Sequence, residues 1–315
     1  MQAIITTSNL TKRFGELLAL DQVSIAVAPG TVFGFLGPNG AGKTTAVRLL
    51  NGLLQPSAGE AFVLGHNIAT ESDQIRARCG VQTDTNLYDK LSAHDNLEVW
   101  GMLYGLAGSR LAARIATLLE MFELTDRRDT LVGGFSKGMK QKLAIARALI
   151  HDPEILFLDE PTAGLDPEAS EDLLLYLRKF IADKKRTVFL CSHRLEEVEF
   201  LCEAIAIIHR GRMLASGTIS ALRAQLWPEL SFRIRLLHLH AEILAALNRQ
   251  GYAAHVDEQD HSLNVALKHE TEIAHVVKIL VQAGAEILAV QEERPSLKDI
   301  YFALMPRENH GHSPD

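Results

Sequence analysis

Phe135-Ser136-Lys137-Gly138-Met139, followed by Ile155-Leu156-Phe157-Leu158-Asp159-Glu160 and then Gly164-Leu165-Asp166, is the run that decides the fold. Ser136 is a capping residue type ahead of helix formers, so a helix opens there. Ile155 to Leu158 is short and apolar without alternation, the pattern of a strand buried on both faces in the middle of a sheet. It ends on two adjacent carboxylates, at the strand end where open α/β sheets present groups to ligands.

Working upstream, Val32 to Leu36 is a second continuous apolar strand. It runs directly into Gly37-Pro38-Asn39-Gly40-Ala41-Gly42-Lys43-Thr44-Thr45, after which Val47, Leu49, Leu50 and Leu53 predict a helix. The spacing Gly-x-x-x-x-Gly-Lys-Thr between strand and helix is that of a nucleotide phosphate loop. Glycines let successive backbone N–H groups converge on phosphates, and the helix N-terminus adds positive potential. Lys43 reaches the outer phosphates and the Thr44 hydroxyl ligates magnesium. A chance glycine-rich turn would not come with both flanking elements. Asp159 is then suited to hold Mg²⁺ through water, and Glu160 to polarise an attacking water as general base. His193, just past the predicted strand Thr187 to Cys191, falls at the same sheet edge and can donate a hydrogen bond to a γ-phosphate.

Further patterns fill in the frame. Val23, Ile25 and Val27 alternate as a half-buried strand ended by Pro29-Gly30. Leu111, Ile115, Leu118, Leu119 and Phe122 recur at helical spacing, so residues about 85–135 are expected as a helical subdomain inserted into the α/β core. Leucines from Leu173 to Leu177 mark another helix, and Ala204 to His209 a further strand before a turn at Gly211. After the break at Trp227-Pro228 the chain starts again. Strands are predicted at Phe232/Ile234/Leu236, Tyr252/Ala254/Val256, Leu263/Val265/Leu267 and Glu286–Val290, with helices at Glu242–Asn248 and Ile273–Leu280. That β-α-β-β-α-β order is that of a ferredoxin-like α+β domain. The expected division is a nucleotide-binding domain over 1–224, an accessory domain over 225–306 and a disordered tail over 307–315.

Composition bounds what these motifs can mean. The chain has 315 residues, 47% hydrophobic and 23% charged, and no apolar run near the roughly 20 residues needed to cross a bilayer. Met1-Gln2-Ala3 lacks the basic start of a signal peptide, so a cytoplasmic location is expected. Cys79, Cys191 and Cys202 have neither disulfide-framework nor zinc spacing and read as reduced core residues. A net charge of −7 argues against nucleic acid as a partner. Lys137, Lys140 and Lys142 read as a solvated helix face. His238 and His240 alternate on a predicted strand, with no third metal ligand in view.

Taken together, the residues resemble the ATP-binding cassette ATPases of membrane transporters over about Ile4 to Gly217. The resemblance rests on the phosphate loop at Gly37, a signature at Ser136, a Walker B strand at Asp159-Glu160, a D-loop at Gly164-Leu165-Asp166 and a switch histidine at His193. Phe-Ser-Lys-Gly-Met in place of the commoner Leu-Ser-Gly-Gly-Gln resembles the branch that exports drugs, antibiotics, lipids and polysaccharides. Pro295-Ser296-Leu297-Lys298-Asp299-Ile300-Tyr301 resembles that branch's accessory domain.

This resemblance implies an α/β P-loop ATPase with ATP and Mg²⁺ as its cofactors, closed as a dimer with a second cassette subunit and driving a separate integral membrane permease. It places the chain on the cytoplasmic face of the membrane. It implies that Ser136, Gly138 and Asp166 serve ATP held by the neighbouring subunit. Phe14 would stack on adenine, the other reading being an ordinary core phenylalanine. The glutamine that links magnesium and the attacking water to the permease is expected four residues after Gly80, where Asp84 stands. Counting back from Leu87-Tyr88 gives Thr83, and the nearby glutamine is Gln82. The segment is one residue short, and Gln82 is favoured over Thr83 and Asp84. The rival function is a soluble cassette ATPase acting on ribosomes or DNA, which would generally carry two cassettes or a long coiled coil; this chain has neither.

Overall fold

A computed structural model of the chain describes residues 2–83, 87–182, 186–257 and 260–306. Two compact units emerge, one comprising Met1–Thr218 with the segment from Met305, the other Ile219–Leu304. The expected tail, 307–315, lies outside the described residues.

The first unit opens with strands β1 (Ile5–Phe14) and β2 (Leu17–Val23), antiparallel about Gly15, which takes a φ of 55°. The single strand expected from Val23 to Val27 is broken. Val23 closes β2 and β3 is only Ala26–Val27. The cause is Thr7, whose hydroxyl donates to Val23 O at 2.8 Å and accepts Ile25 N–H at 3.0 Å, taking the backbone groups a continuous ladder would use.

Next come β4 (Val32–Leu36) and α1 (Lys43–Leu50). Leu53, expected on that helix, lies beyond it and is 57% exposed, because Gly52 at φ 65° ends the helix. There follow β5 (Ala58–Val63), β6 (His66–Asn67), α2 (Ser72–Arg78) and β7 (Cys79–Gln82). The inserted helical segment holds α3 (Ala93–Leu103) and α4 (Gly108–Met121); Ser92 and Asp95 close a capping box on α3. After it come α5 (Lys137–Ala148), β8 (Ile155–Asp159), α6 (Pro167–Ala182), β9 (Thr187–Ser192), α7 (Leu195–Leu201), β10 (Ala204–His209) and β11 (Arg212–Thr218).

Two sheets result. One has the order β2-β1-β5-β6 with β3 on β1, and the other β11-β10-β4-β9-β8-β7. In the second, β7, β8, β9, β4 and β10 run parallel and β11 is an antiparallel edge. Helix α1 lies between the sheets, its Val47, Leu49 and Leu50 sharing one core with Ile5 and Leu20 of the first and Phe35, Phe157 and Phe189 of the second. The ring of Phe189 stands 5.5–5.6 Å from those of Phe33, Phe35 and Phe157. Phe189→Ala is therefore expected to cost about 3–5 kcal/mol of unfolding free energy, measurable by urea titration. All three cysteines are buried and free, and burial pushes the Cys79 thiol up to about 12, so they are inert core residues.

The second unit is α8 (Ile219–Leu226), β12 (Leu230–Leu236), α9 (Ala241–Arg249), β13 (Ala254–Asp257), β14 (Ser262–Leu267), α10 (Glu272–Gln282), β15 (Ile287–Glu293) and α11 (Leu297–Leu304). From β12 to β15 the order is β-α-β-β-α-β, with an all-antiparallel sheet ordered β13-β14-β12-β15. Ile234, Leu247, Val265 and Leu280 are fully buried in its core.

Two expectations need correction here. The boundary near Gln225 falls inside α8, which packs on α11 and whose Arg223 donates to Pro295 O at 2.6 Å, so the unit begins earlier, at Ile219. His238 and His240 are not on a strand. Strand β12 ends at Leu236 just after a bulge, His240 stands at the N-cap position of α9 without a side-chain capping bond, and the two rings are 6.2 Å apart. Among the described residues neither belongs to a group of three His, Cys, Asp or Glu within ligand reach of one another.

Candidate functional site

The phosphate loop joins β4 to α1. A Cβ at Gly37 would lie 2.4 Å from Ile208 O, and Gly42 takes a φ of 108° with its Cβ position 2.4 Å from Ala19 O. Only glycine fits both places, so the backbone is free to turn its N–H groups inward. Lys43, the first residue of α1, is 5% exposed and folds back over the loop. Its Nζ donates to Gly37 O at 2.8 Å and Pro38 O at 3.2 Å, and stands 3.0 Å from Glu160 Oε1.

The parallel register of β8 with β9 sets Asp159 beside Cys191, and the chain then leaves the sheet through Glu160. Glu160 N–H donates to Cys191 O at 2.9 Å while its φ is 53°, a left-handed conformation that costs a non-glycine residue about 1 kcal/mol or more. The result is a carboxylate with one oxygen on Lys43 and the other 2.7 Å from His193 Nδ1. Strand β9 ends at Ser192, so His193 stands at the neighbouring strand end, as its position in the chain implied.

Asp159 is buried. Among the described residues its Oδ1 has no hydrogen-bond partner, and its side chain bonds to Thr44. Burial raises its carboxyl above the ordinary range, opposed by the Thr44 hydroxyl and reinforced by the Glu160 charge. An uncompensated buried carboxylate oxygen beside a hydroxyl is a donor set suited to a hard divalent cation, so the residues fit magnesium. Asp159→Asn removes that charge. It is expected to raise the melting temperature of the nucleotide-free protein at pH 7 by a few degrees while abolishing cation-dependent turnover. Differential scanning fluorimetry and a magnesium titration of ATPase activity check the two halves.

A cleft of about 470 Å³ opens over the loop, lined by Phe14, Leu17, Leu18, Ala19, Asn39, Gly40, Gly42, Lys43, Thr44, Thr45, Glu160 and Arg210. Phe14 is 45% exposed, which removes the core-phenylalanine reading, and Lys12 Nζ lies 5.0 Å from its ring centre. Ala41 is buried beneath the loop.

Ser136, Gly138 and Asp166 do not line this cleft. Ser136 caps α5, its hydroxyl accepting Met139 N–H at 3.2 Å, and Asp166, just ahead of α6, accepts Ala169 N–H from the first turn of that helix at 2.9 Å. Lys140 pairs with Asp89 at 2.8 Å, and Lys142 sits 4.4 Å over the Tyr176 ring.

Gln82 is not brought to the site. It pairs in register with Leu158, so it shares that residue's face of the sheet and points away from the face of Asp159. It is 2% exposed, its Oε1 has no hydrogen-bond partner among the described residues, and it does not line the cleft. Thr83, next along, lines a different recess with Leu53, Trp100, Tyr104 and Arg147. Asp84 lies outside the described residues.

Two features had not been singled out in the sequence. Glu197, 3% exposed, takes hydrogen bonds from Thr162, from Ser192 Oγ at 3.0 Å and from Arg194 Nη1 at 2.8 Å, fixing the turn that presents His193. As one of several glutamates on a short helix it carries no local signal. Arg210 is the other, and its signal is an arginine ahead of the Gly211 turn.

An ABC transporter family pattern matches residues 20–163, and a DrrA1-3-like ATP-binding protein C-terminal domain matches 217–305. The chain is 37% identical over 302 residues to the daunorubicin resistance ATP-binding protein DrrA3 of Streptomyces coeruleorubidus, covering 95% of each. It is 34% identical over 313 residues to the bacitracin transport ATP-binding protein BcrA of Bacillus licheniformis, covering 97% of this chain and 98% of that one. Among solved structures, an ATP-binding cassette dimer in a post-hydrolysis state with ADP and phosphate aligns over 68% of this chain and 98% of its own, with a TM-score of 0.62 and 26% identity.

Proposed function

The chain belongs to the ABC transporter ATPase family, and from that premise we propose that it is the ATPase of an exporter, working as a nucleotide-closed dimer on the cytoplasmic face of a membrane beside a separate permease. The observation that carries the reading is the carboxylate of Glu160, held between Lys43 and His193 at the mouth of a phosphate-loop cleft.

The mechanism follows from those groups. Backbone N–H groups from Gly40 to Thr45 and the N-terminus of α1 receive the phosphates, and Lys43 leaves its carbonyl partners for the outer ones. Phe14 stacks on the base. Glu160 takes a proton from the water that attacks the γ-phosphorus, the bond to the β–γ bridging oxygen breaks, and ADP and phosphate are left. His193 donates to a γ-phosphate oxygen and holds Glu160 in position. Thr44 and Asp159 would hold magnesium, which supplies charge neutralisation at the phosphates. Ser136, at the N-terminus of α5, together with Gly138 and Asp166, completes the site of a second copy.

No described helix is long and apolar enough to cross a membrane, and the proposal gives translocation to a permease chain. The recess of about 410 Å³ around Leu53, Trp100, Tyr104 and Thr83 offers that chain an amphipathic landing site, with Leu53 57% exposed. The reading is tested by purifying the tagged protein from a detergent extract of its host. A polytopic membrane protein is expected to come with it, while recovery of ribosomes or DNA instead would overturn the assignment.

A further inference from the structure

The β10–β11 hairpin turns through two residues, Arg210 and Gly211, with His209 paired to Arg212. Both turn residues have positive φ, 48° and 79°, the geometry of a type I′ turn. That turn strongly favours Asn-Gly or Asp-Gly, because an ordinary side chain in the first position is strained. Leu64 stands ahead of Gly65 at a φ of 56° in the same kind of turn between β5 and β6, so the backbone conformation by itself assigns Arg210 no use; its place in the lining of the nucleotide cleft does.

The turn is also clamped to the nucleotide cleft. Gly211 N–H donates to Ala41 O at 3.1 Å and its carbonyl accepts Asp21 N–H at 2.8 Å. A Cβ on Gly211 would lie 3.0 Å from Ala19 O, and Arg212 Nε bonds Asp21 Oδ2 at 2.7 Å on β2. Strand β2 and the phosphate loop therefore fix the turn from two sides, and Arg210 lines the cleft with Phe14, Leu18 and Ala19. Lys43, the other cation of that lining, stands 3.0 Å from Glu160 Oε1.

We propose that Arg210 is a second nucleotide-binding cation, acting on the part of the nucleotide that ATP and ADP share and not on the γ-phosphate. This rests on the reading of the cleft as the ATP site. A guanidinium on a rigid turn meets an anion with less loss of freedom than one on a loose loop.

The test is nucleotide affinity of the full chain by isothermal titration, using ATP with Glu160→Gln in the background to prevent turnover, and ADP. Arg210→Asn keeps a residue that tolerates the left-handed turn while removing the charge. It is expected to weaken ATP and ADP by the same factor, about five- to tenfold, with a shallower dependence of affinity on salt, and Arg210→Lys to recover part of the loss. Unchanged affinities, or a loss confined to ATP, would overturn the proposal. So would a loss matched by a lower melting temperature of the nucleotide-free variant, since that would make Arg210 a turn residue only. If the parent protein itself fails to bind ATP, the fault lies in the reading of the cleft and not in Arg210.

Discussion

Glu160→Gln is expected to lower ATP turnover by at least about two orders of magnitude, the usual contribution of a positioned general base. The amide is isosteric and keeps the left-handed turn after β8, but it cannot take a proton from water. Its loss of charge also frees Lys43, which stands 3.0 Å from Glu160 Oε1, to commit to the phosphates. Binding should therefore survive while hydrolysis does not, and a stable dimer should accumulate with ATP. Gel filtration with and without saturating ATP, alongside a phosphate-release assay, reads both effects. A variant that stays monomeric with ATP, or hydrolyses it at the parent rate, would count decisively against the scheme.

Gly42→Ala is expected to weaken ATP binding by more than about a hundredfold without unfolding the protein. Gly42 takes a φ of 108°, outside what an alanine adopts without strain, and its Cβ position is 2.4 Å from Ala19 O. The obstacle is backbone on β2, which cannot swing aside as a side chain would. Strain of a few kcal/mol at one loop residue is enough for this, because 1.4 kcal/mol is already tenfold in affinity. The loop is expected to relieve the contact by rotating, which turns N–H groups off the phosphates. Titration calorimetry should show the loss, and circular dichroism an intact fold.

The chemistry was legible because it is written in short spacings. The phosphate loop and its helix occupy one continuous stretch, and Asp159-Glu160 close one apolar strand. What failed did so where a local pattern met a distant partner. Thr7 broke the strand read across Val23 to Val27. The parallel register with β8 turned Gln82 away from Asp159, and one residue of slip along a strand exchanges the faces, so a segment one residue short could not be placed by counting. Helix α8 joined the second unit because α11, far along the chain, packs on it.

By itself, the sequence determined which machine this is: the loop, the signature at Ser136, the carboxylate pair and His193 in order, each set by residues a few positions apart. The tertiary structure alone decided that Glu160 lies between Lys43 and His193, that Phe14 is exposed in the lining of the cleft, that Gln82 faces away and that Arg210 lines the same cleft. Those facts depend on which strands neighbour one another and in what register, and that is settled by packing between segments far apart in the chain.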